Sequence, residues 1–176
     1  MPTVSVIIHT YNNEKFIGET IDSVLNQTYN DYEIIVVDDG SEDGTRDALL
    51  PYMQKIRYHY KENGGIASAK NAGINLSNAE FIAFLDHDDL WVPDKLKIQM
   101  EYFNEHPQAG LVYAKYASFR DDKELRTKPE KGYSGWIFKK LLSKSIVQTS
   151  TVMVKRECLN AVGPYDESFK LADEYD

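Results

Sequence analysis

Three short apolar runs constrain this chain most, because each breaks off abruptly into polar residues. Val4-Ser5-Val6-Ile7-Ile8-His9 leads to Thr10-Tyr11-Asn12. Glu33-Ile34-Ile35-Val36-Val37 leads to Asp38-Asp39-Gly40-Ser41, and Phe81-Ile82-Ala83-Phe84-Leu85 leads to Asp86-His87-Asp88-Asp89. Runs of this length, rich in β-branched residues and bounded by turn formers, read as strands. Near-continuous apolar strands are those covered on both faces. Between them, Phe16, Ile17, Thr20, Ile21, Val24 and Leu25 repeat at helical spacing. Residues 66–76 form a second helical stretch, with Ala67, Ala69, Ala72 and Gly73 small enough for close approach to another backbone. Strands alternating with helices predict an α/β fold with a mostly parallel central sheet. Ligands of such sheets sit beyond the carboxyl ends of the strands, where all three polar clusters fall.

The rest of the chain continues the pattern. Asn13 is placed to cap the first helix. A helix from Thr45 is ended or kinked by Pro51, and residues 56–60 read as a short strand. Pro93 opens a helix carrying Leu96, Met100 and Phe103. Residues 110–119 read as a strand, 121–131 as a charged loop, 134–142 as a short helix and 147–154 as a strand, before a turn at Gly163-Pro164-Tyr165-Asp166-Glu167. Cys158, Leu159 and Val162 read as one helix, with the cysteine in the core. The expectation is a single domain over 1–176, with halves 1–100 and 101–176. Leu171–Asp176 reads as the start of an element, so the chain is expected to be truncated at its C-terminal side.

Composition excludes some classes. Net charge is −8, with 28 Asp and Glu against 20 Lys and Arg, the wrong sign for a nucleic-acid backbone reader. The same acidity argues against direct binding of anionic lipid by this stretch. One cysteine permits no internal disulfide and fits a reducing cytoplasm. No apolar run is long enough to span a bilayer.

An acidic cluster at a strand end costs free energy unless a cation sits there, and one or two carboxylates sharing a divalent ion with substrate phosphates is a common arrangement. Taken alone, Asp86-His87-Asp88-Asp89 is equally a solvated turn. Four segments together say more. Val4–Asn12, Val36-Val37-Asp38-Asp39-Gly40-Ser41 with Asp43-Gly44-Thr45, Asn63-Gly64-Gly65 with Ala69-Lys70-Asn71 and Gly73, and Phe84–Asp89 stand in the order of the family 2 glycosyltransferases. The chain resembles that family over roughly its first half. Gly163–Glu167 and Asp173-Glu174-Tyr175-Asp176 resemble its acceptor-side turn and base motif.

The resemblance implies the GT-A fold, a Rossmann-like three-layer sandwich, and inverting transfer of a sugar from a UDP-sugar donor to a hydroxyl of a saccharide or lipid-linked saccharide acceptor. The expected setting is cell-surface or exopolysaccharide biosynthesis in a bacterium. It implies that Tyr11 lies against the uracil beside the backbone of Thr10, and that Asp39 accepts the hydrogen of the base's ring nitrogen. Lys70 points to the nucleotide, Asp86 to the ribose or the ion's water shell, and Asp88 ligates Mg²⁺ or Mn²⁺. The general base is Glu174, in place of the family's commoner Asp, or Asp173 if the motif aligns one residue earlier. His9 stands where the family often has Pro and reads as a strand cap. His87 is left out of the site because alternation turns it away from Asp86 and Asp88.

Other readings remain at this level. A donor-binding fragment without turnover fits a truncated chain. A sugar-phosphate nucleotidyltransferase would need a basic, Gly-rich loop where Thr10-Tyr11-Asn12-Asn13 stands. A phospho-accepting signalling module would use Lys155 but leave the uracil-side motifs unexplained. The expected location is the cytoplasm, at the inner face of the membrane if a segment beyond Asp176 supplies peripheral contact.

Overall fold

The computed structural model describes residues 1–120, 123–125, 132–144 and 146–168. Strand β1 (Val4–Thr10) is buried along its whole length. It is followed by β2 (Tyr32–Asp38), β3 (Arg57–Tyr60) and β4 (Phe81–Asp86). β5 (Leu111–Tyr113), β6 (Ser118–Arg120), β7 (Lys123–Leu125) and β8 (Val152–Lys155) complete the set among the described residues. The main sheet has the order β3-β2-β1-β4-β8-β5, while β6 and β7 pair separately. β1 to β4 run parallel, and β8 enters antiparallel between β4 and β5.

Helices α1 (Ile17–Leu25), α2 (Thr45–Leu49), α3 (Ile66–Leu76), α4 (Lys95–Glu105), α5 (Phe138–Leu141) and α6 (Arg156–Val162) connect the strands. Alternation along β1 divides the core into two layers. Val4, Val6 and Ile8 pack with Ile17, Ile21, Val24, Leu49, Leu96 and Met100, residues of α1, α2 and α4. Ile7 and its neighbours face α3 and α6 instead, with Ile74, Cys158 and Leu159 against them. The fold is therefore α/β with helices on both faces of a mostly parallel sheet.

The small residues of α3 have a specific use. A Cβ built on Gly73 falls 2.4 Å from Cγ2 of the buried Ile7, so the helix lies closer to the sheet than any side chain there permits.

Several boundaries differ from the expected ones, each for a local reason. Pro93 precedes its helix instead of opening it: α4 starts at Lys95, and the Ile98 amide bonds to the Asp94 carbonyl. The helix expected over 134–142 shrinks to Phe138–Leu141, with Gly135 at φ 75°, outside helical space. The strand expected from Val147 begins only at Val152. Thr149–Thr151 is a 3₁₀ turn whose carbonyls at Ser150 and Thr151 accept from Trp91 Nε1 at 2.7 Å and Gln99 Nε2 at 2.9 Å. With no partner strand there among the described residues, the strand expected over 110–119 breaks into β5 and β6. Cys158 packs against the core, but Val162 is exposed. The charged loop expected over 121–131 lies outside the described residues except for β7.

One buried charge is unusual. Lys95 is 6% exposed, with its ammonium 3.8 Å from the centre of the Trp91 ring and donating to Gln99 Oε1 at 2.8 Å. Burial pushes its pKa down to about 7. An unfolded lysine titrates near 10.4, so between these values the unfolded chain holds more protons and stability rises with pH. Urea unfolding should therefore show stability increasing from pH 7 to 9, by at most about 1.4 kcal/mol per pH unit from this group. Lys95→Met should abolish that increment and leave the rest of the profile alone. Gly73→Ala should destabilise by about 1–3 kcal/mol through overpacking, despite Ala's better helix propensity. In a double-mutant cycle, Ile7→Ala should absorb most of that cost, a coupling that independent sites would not show.

Candidate functional site

The strand register gathers the site. Thr10 lies opposite Asp38 on β2, and His9 opposite Asp86 on β4. Adjacent strands are roughly 4.8 Å apart, so the ends of β2, β1 and β4 bring Asp38, Asp39, Thr10, Tyr11 and Asp86 along one edge.

Two loops at this edge are stitched together. Asn12, at φ 49°, occupies the left-handed region that Asn tolerates better than most residues. Its amide donates to Ser41 Oγ at 2.9 Å, and its Oδ1 accepts from the Glu42 amide at 2.8 Å. The Asn13 amide donates to Thr45 Oγ1, and Asn13 Oδ1 accepts from the Phe16 amide at 3.3 Å, which opens the turn leading into α1. Glu14 Oε2 accepts from the Gly44 amide at 2.8 Å. These contacts leave the Tyr11 ring 46% exposed at the rim.

Five acidic side chains behave differently from one another. Asp38 is buried, accepting from the Ser41 amide at 2.9 Å and from the Tyr58 hydroxyl at 2.7 Å. Burial, and then that bond to Asp38, push the Tyr58 phenol far above its usual pKa. Asp39 is also buried. It accepts from Lys61 Nζ at 2.5 Å, from the Gly65 amide at 2.8 Å and from the Gly64 amide at 3.1 Å. Three donors on a carboxylate leave room for a fourth, which is what the expected contact with a base requires. Gly40 and Gly65, at φ 84° and 88°, make this cradle, and a Cβ on Gly40 would meet the Asn63 amide nitrogen at 2.8 Å.

Asp89 is held by Ser150. The Ser150 hydroxyl donates to Asp89 Oδ2 and accepts from the Asp86 amide at 3.1 Å. The Asp89 amide returns to the Asp86 carbonyl at 3.2 Å, closing the turn. Asp86 keeps a side chain 36% exposed, 3.7 Å from His9 Nε2. Asp88 is exposed, and it shares with Asn12, Lys15, Phe16 and Asp43 an open cleft of about 310 Å³. His87 turns back toward β1, its Nδ1 3.2 Å from the His9 carbonyl oxygen.

Among the described residues, no group of three or more His, Cys, Asp or Glu is placed to hold an ion alone. A divalent ion at this turn would take Asp88, with Asp86 beside it, and complete its shell from phosphates and water, as Mg²⁺ commonly does. The donor set fits that use. Thr10 adds a second pointer, since its buried Oγ1 has no hydrogen-bond partner among the described residues.

Lys70 is 2% exposed inside α3, its Nζ 5.3 Å from the centre of the Tyr165 ring. Its neighbour Asn71 clasps the backbone of Tyr165 in both directions at 2.9 Å and donates to Glu167 Oε1. That clasp docks the Gly163–Glu167 turn on α3. Asp173 and Glu174 lie outside the described residues. Sequence reasoning missed Ser150, Lys61 and the Asn71 clasp. Ser150 lies about sixty positions from the turn it closes, and no local spacing signals it.

A family model described as "Glycosyl transferase family 2" matches residues 5–163. The UDP-Glc:alpha-D-GlcNAc-diphosphoundecaprenol beta-1,3-glucosyltransferase WfgD of Escherichia coli is 32% identical over 98% of this chain and 66% of its own length. The crystal structure of Staphylococcus aureus TarS 1-349 in complex with UDP-GlcNAc superposes at a TM-score of 0.74, with 26% identity, over 98% of this chain and 51% of that one. The mannosyltransferase PcManGT of Pyrobaculum calidifontis, solved with GDP-Man and Mn²⁺, gives 0.71 and 25% identity over 98% and 50%. The chain spans about half the length of the curated relatives it matches. The register that lines up Asp38, Thr10 and Asp86, the fold around it and the family match agree: this chain belongs to the family 2 glycosyltransferases.

Proposed function

We propose that this chain moves a sugar, with inversion, from a UDP-sugar to a hydroxyl of a saccharide acceptor during assembly of a bacterial surface polysaccharide. One observation carries the reading: a single sheet edge holds an exposed aromatic at Tyr11, a caged carboxylate with a spare acceptor site at Asp39, and an uncommitted carboxylate at Asp88. In this arrangement Tyr11 covers one face of the uracil, a contact that needs no hydrogen bond. Asp39, held in place by Lys61 and two amides, takes the ring N–H. The bound UDP-GlcNAc in TarS and the UDP-Glc donor in WfgD's name support the choice of nucleotide. WfgD's diphosphoundecaprenol acceptor supports a lipid-linked saccharide.

The acceptor oxygen forms a bond to the anomeric carbon on the face opposite the diphosphate. The bond from that carbon to the diphosphate oxygen breaks, and its electron pair leaves with UDP. The hydroxyl proton passes to a carboxylate, for which Glu174 is our choice and Asp173 the neighbour. A divalent ion, when bound, supplies Lewis-acid neutralisation of the departing diphosphate. Asp86 and Asp88 hold their position for it because Ser150 keeps the turn closed. A donor-binding unit without turnover is the second reading, and binding and release assays separate the two.

Thermal unfolding with UDP and Mn²⁺ tests the site. Ligand at about a hundred times its dissociation constant adds roughly 2.7 kcal/mol, or on the order of 5–10 °C for a domain of this size. The rise should need UDP and Mn²⁺ together and vanish in Asp88→Asn. A full shift in that variant would remove Asp88 from the site. UDP release from a UDP-sugar in the presence of acceptor would distinguish turnover from binding alone.

Ser150→Ala should weaken UDP binding in the presence of Mn²⁺ by about tenfold, the scale of one lost hydrogen bond of about 1 kcal/mol or slightly more. Binding of UDP without metal should change little. Ser150→Thr, which keeps the hydroxyl, should restore most of the affinity. Equal loss with and without Mn²⁺ would mean that Ser150 supports the fold and not the acidic turn.

A further inference from the structure

The segment just before the Ser150 turn has a surface that sugar transfer leaves unexplained. Trp136 is 89% exposed and Leu142 72%, and Phe138 between them is exposed as well. Soluble monomers rarely leave a contiguous apolar patch uncovered without a partner for it. Lys139, Lys140 and Lys144 are interleaved with these residues and equally exposed. Residues 132–154 contain those three lysines and no carboxylate, in a chain with 28 acidic residues. The net charge pointed away from anionic lipid, but it hides this segregation.

The segment is also held in place. The Tyr113 hydroxyl accepts from the Tyr133 amide at 2.8 Å and donates to the Tyr133 carbonyl at 3.1 Å. Lys140 adds a cation–π contact, 4.0 Å from the centre of the Tyr133 ring. Tyr113 ends β5, which pairs antiparallel with β8 as β4 does, so β5 and β4 run the same way. The tether therefore fixes the patch on the sheet edge that carries Asp86 and Ser150.

We infer that Trp136–Lys144 is a docking surface for an anionic lipid bilayer, and that it sets the donor-site edge of the sheet toward the membrane. The chemistry matches on both counts. Indole and phenyl rings settle at headgroup depth, and each lysine near an anionic surface is worth roughly a fivefold gain in partitioning. The acidic remainder of the chain is repelled by the same surface, so contact is confined to one orientation. The contact is a peripheral one, and no helix among the described residues is long and apolar enough to cross a membrane. This inference goes beyond sugar transfer and requires neither UDP nor a metal.

The chain has two tryptophans, and the other, Trp91, is buried. Fluorescence during titration with vesicles of phosphatidylglycerol and phosphatidylcholine, or of phosphatidylcholine alone, therefore reports chiefly on Trp136. The expected result is a blue shift and co-sedimentation with the anionic vesicles only, both lost in high salt. The triple variant Lys139→Glu, Lys140→Glu, Lys144→Glu should lower partitioning at least about fiftyfold, and Trp136→Ala should remove the blue shift, with thermal unfolding unchanged in both. No binding to anionic vesicles, or binding undiminished in the triple variant, overturns the inference. So does a concentration-dependent blue shift without lipid that accompanies dimer formation, which would assign the patch to a second copy of the chain. Because UDP is absent throughout, failure here leaves the donor-site reading standing, and failure of that reading leaves this one testable.

Discussion

A strand buried along its full length can carry chemistry only where it stops. β1 is such a strand, flanked by β2 and β4 and covered by helices on both faces. An unpaired ionised group inside that sandwich would cost several kcal/mol, so polar function is displaced to the carboxyl edge. The register then decides which polar residues meet, pairing Thr10 with Asp38 and His9 with Asp86. The close approach of α3 at Gly73 is part of the same constraint, because it covers the second face of β1 without lengthening the strand.

Collecting carboxylates at one edge raises a problem of like charge, and the fold solves it unequally. Asp38 is satisfied by a backbone amide and a tyrosine hydroxyl. Asp39 is satisfied by a lysine and two glycine amides. Asp89 is tied to Ser150. Asp88 and Asp89 are both exposed, but Asp89 is held by Ser150, while Asp86 is partly exposed near His9. The internal donors lower the cost of three carboxylates and leave the remaining charge at the rim of the cleft. That inequality separates this edge from a plain acidic turn, in which each carboxylate would face water alike.

Much of this was legible in the sequence because its causes are local. Apolar runs ended by Asp or Asn specify both the strands and the edge where they stop, and the 66–76 helix emerged with the expected bounds because its small residues and flanking glycines are contiguous. What failed to show was long-range. The strand expected from Val147 looks continuous by its alternation. It starts late because Trp91 and Gln99, from the segment that follows β4, claim the carbonyls of Ser150 and Thr151. The same turn gives Ser150 its hold on Asp86 and Asp89. A hydroxyl that bridges two elements has no periodicity of its own. Lys70 shows the reverse problem: its motif was visible, yet only the structure places its ammonium beneath the Tyr165 ring.

The two halves of the chain are joined by contacts that serve one edge. The first half supplies the carboxylates and the donors that hold Asp38 and Asp39, and the second supplies Ser150, which holds Asp89, and the surface beside them. Ser150 closes the acidic turn, while Tyr113, one strand further across the sheet, anchors Tyr133 and the basic aromatic segment behind it. β8 stands between these points, bonded to β4 on one side and β5 on the other. A shift of β8 along the sheet by one residue would reverse which of its side chains face each layer and would move Ser150 and the partner of Tyr113 together. The geometry of the acidic turn and the placement of the lysine-rich surface therefore depend on one strand register.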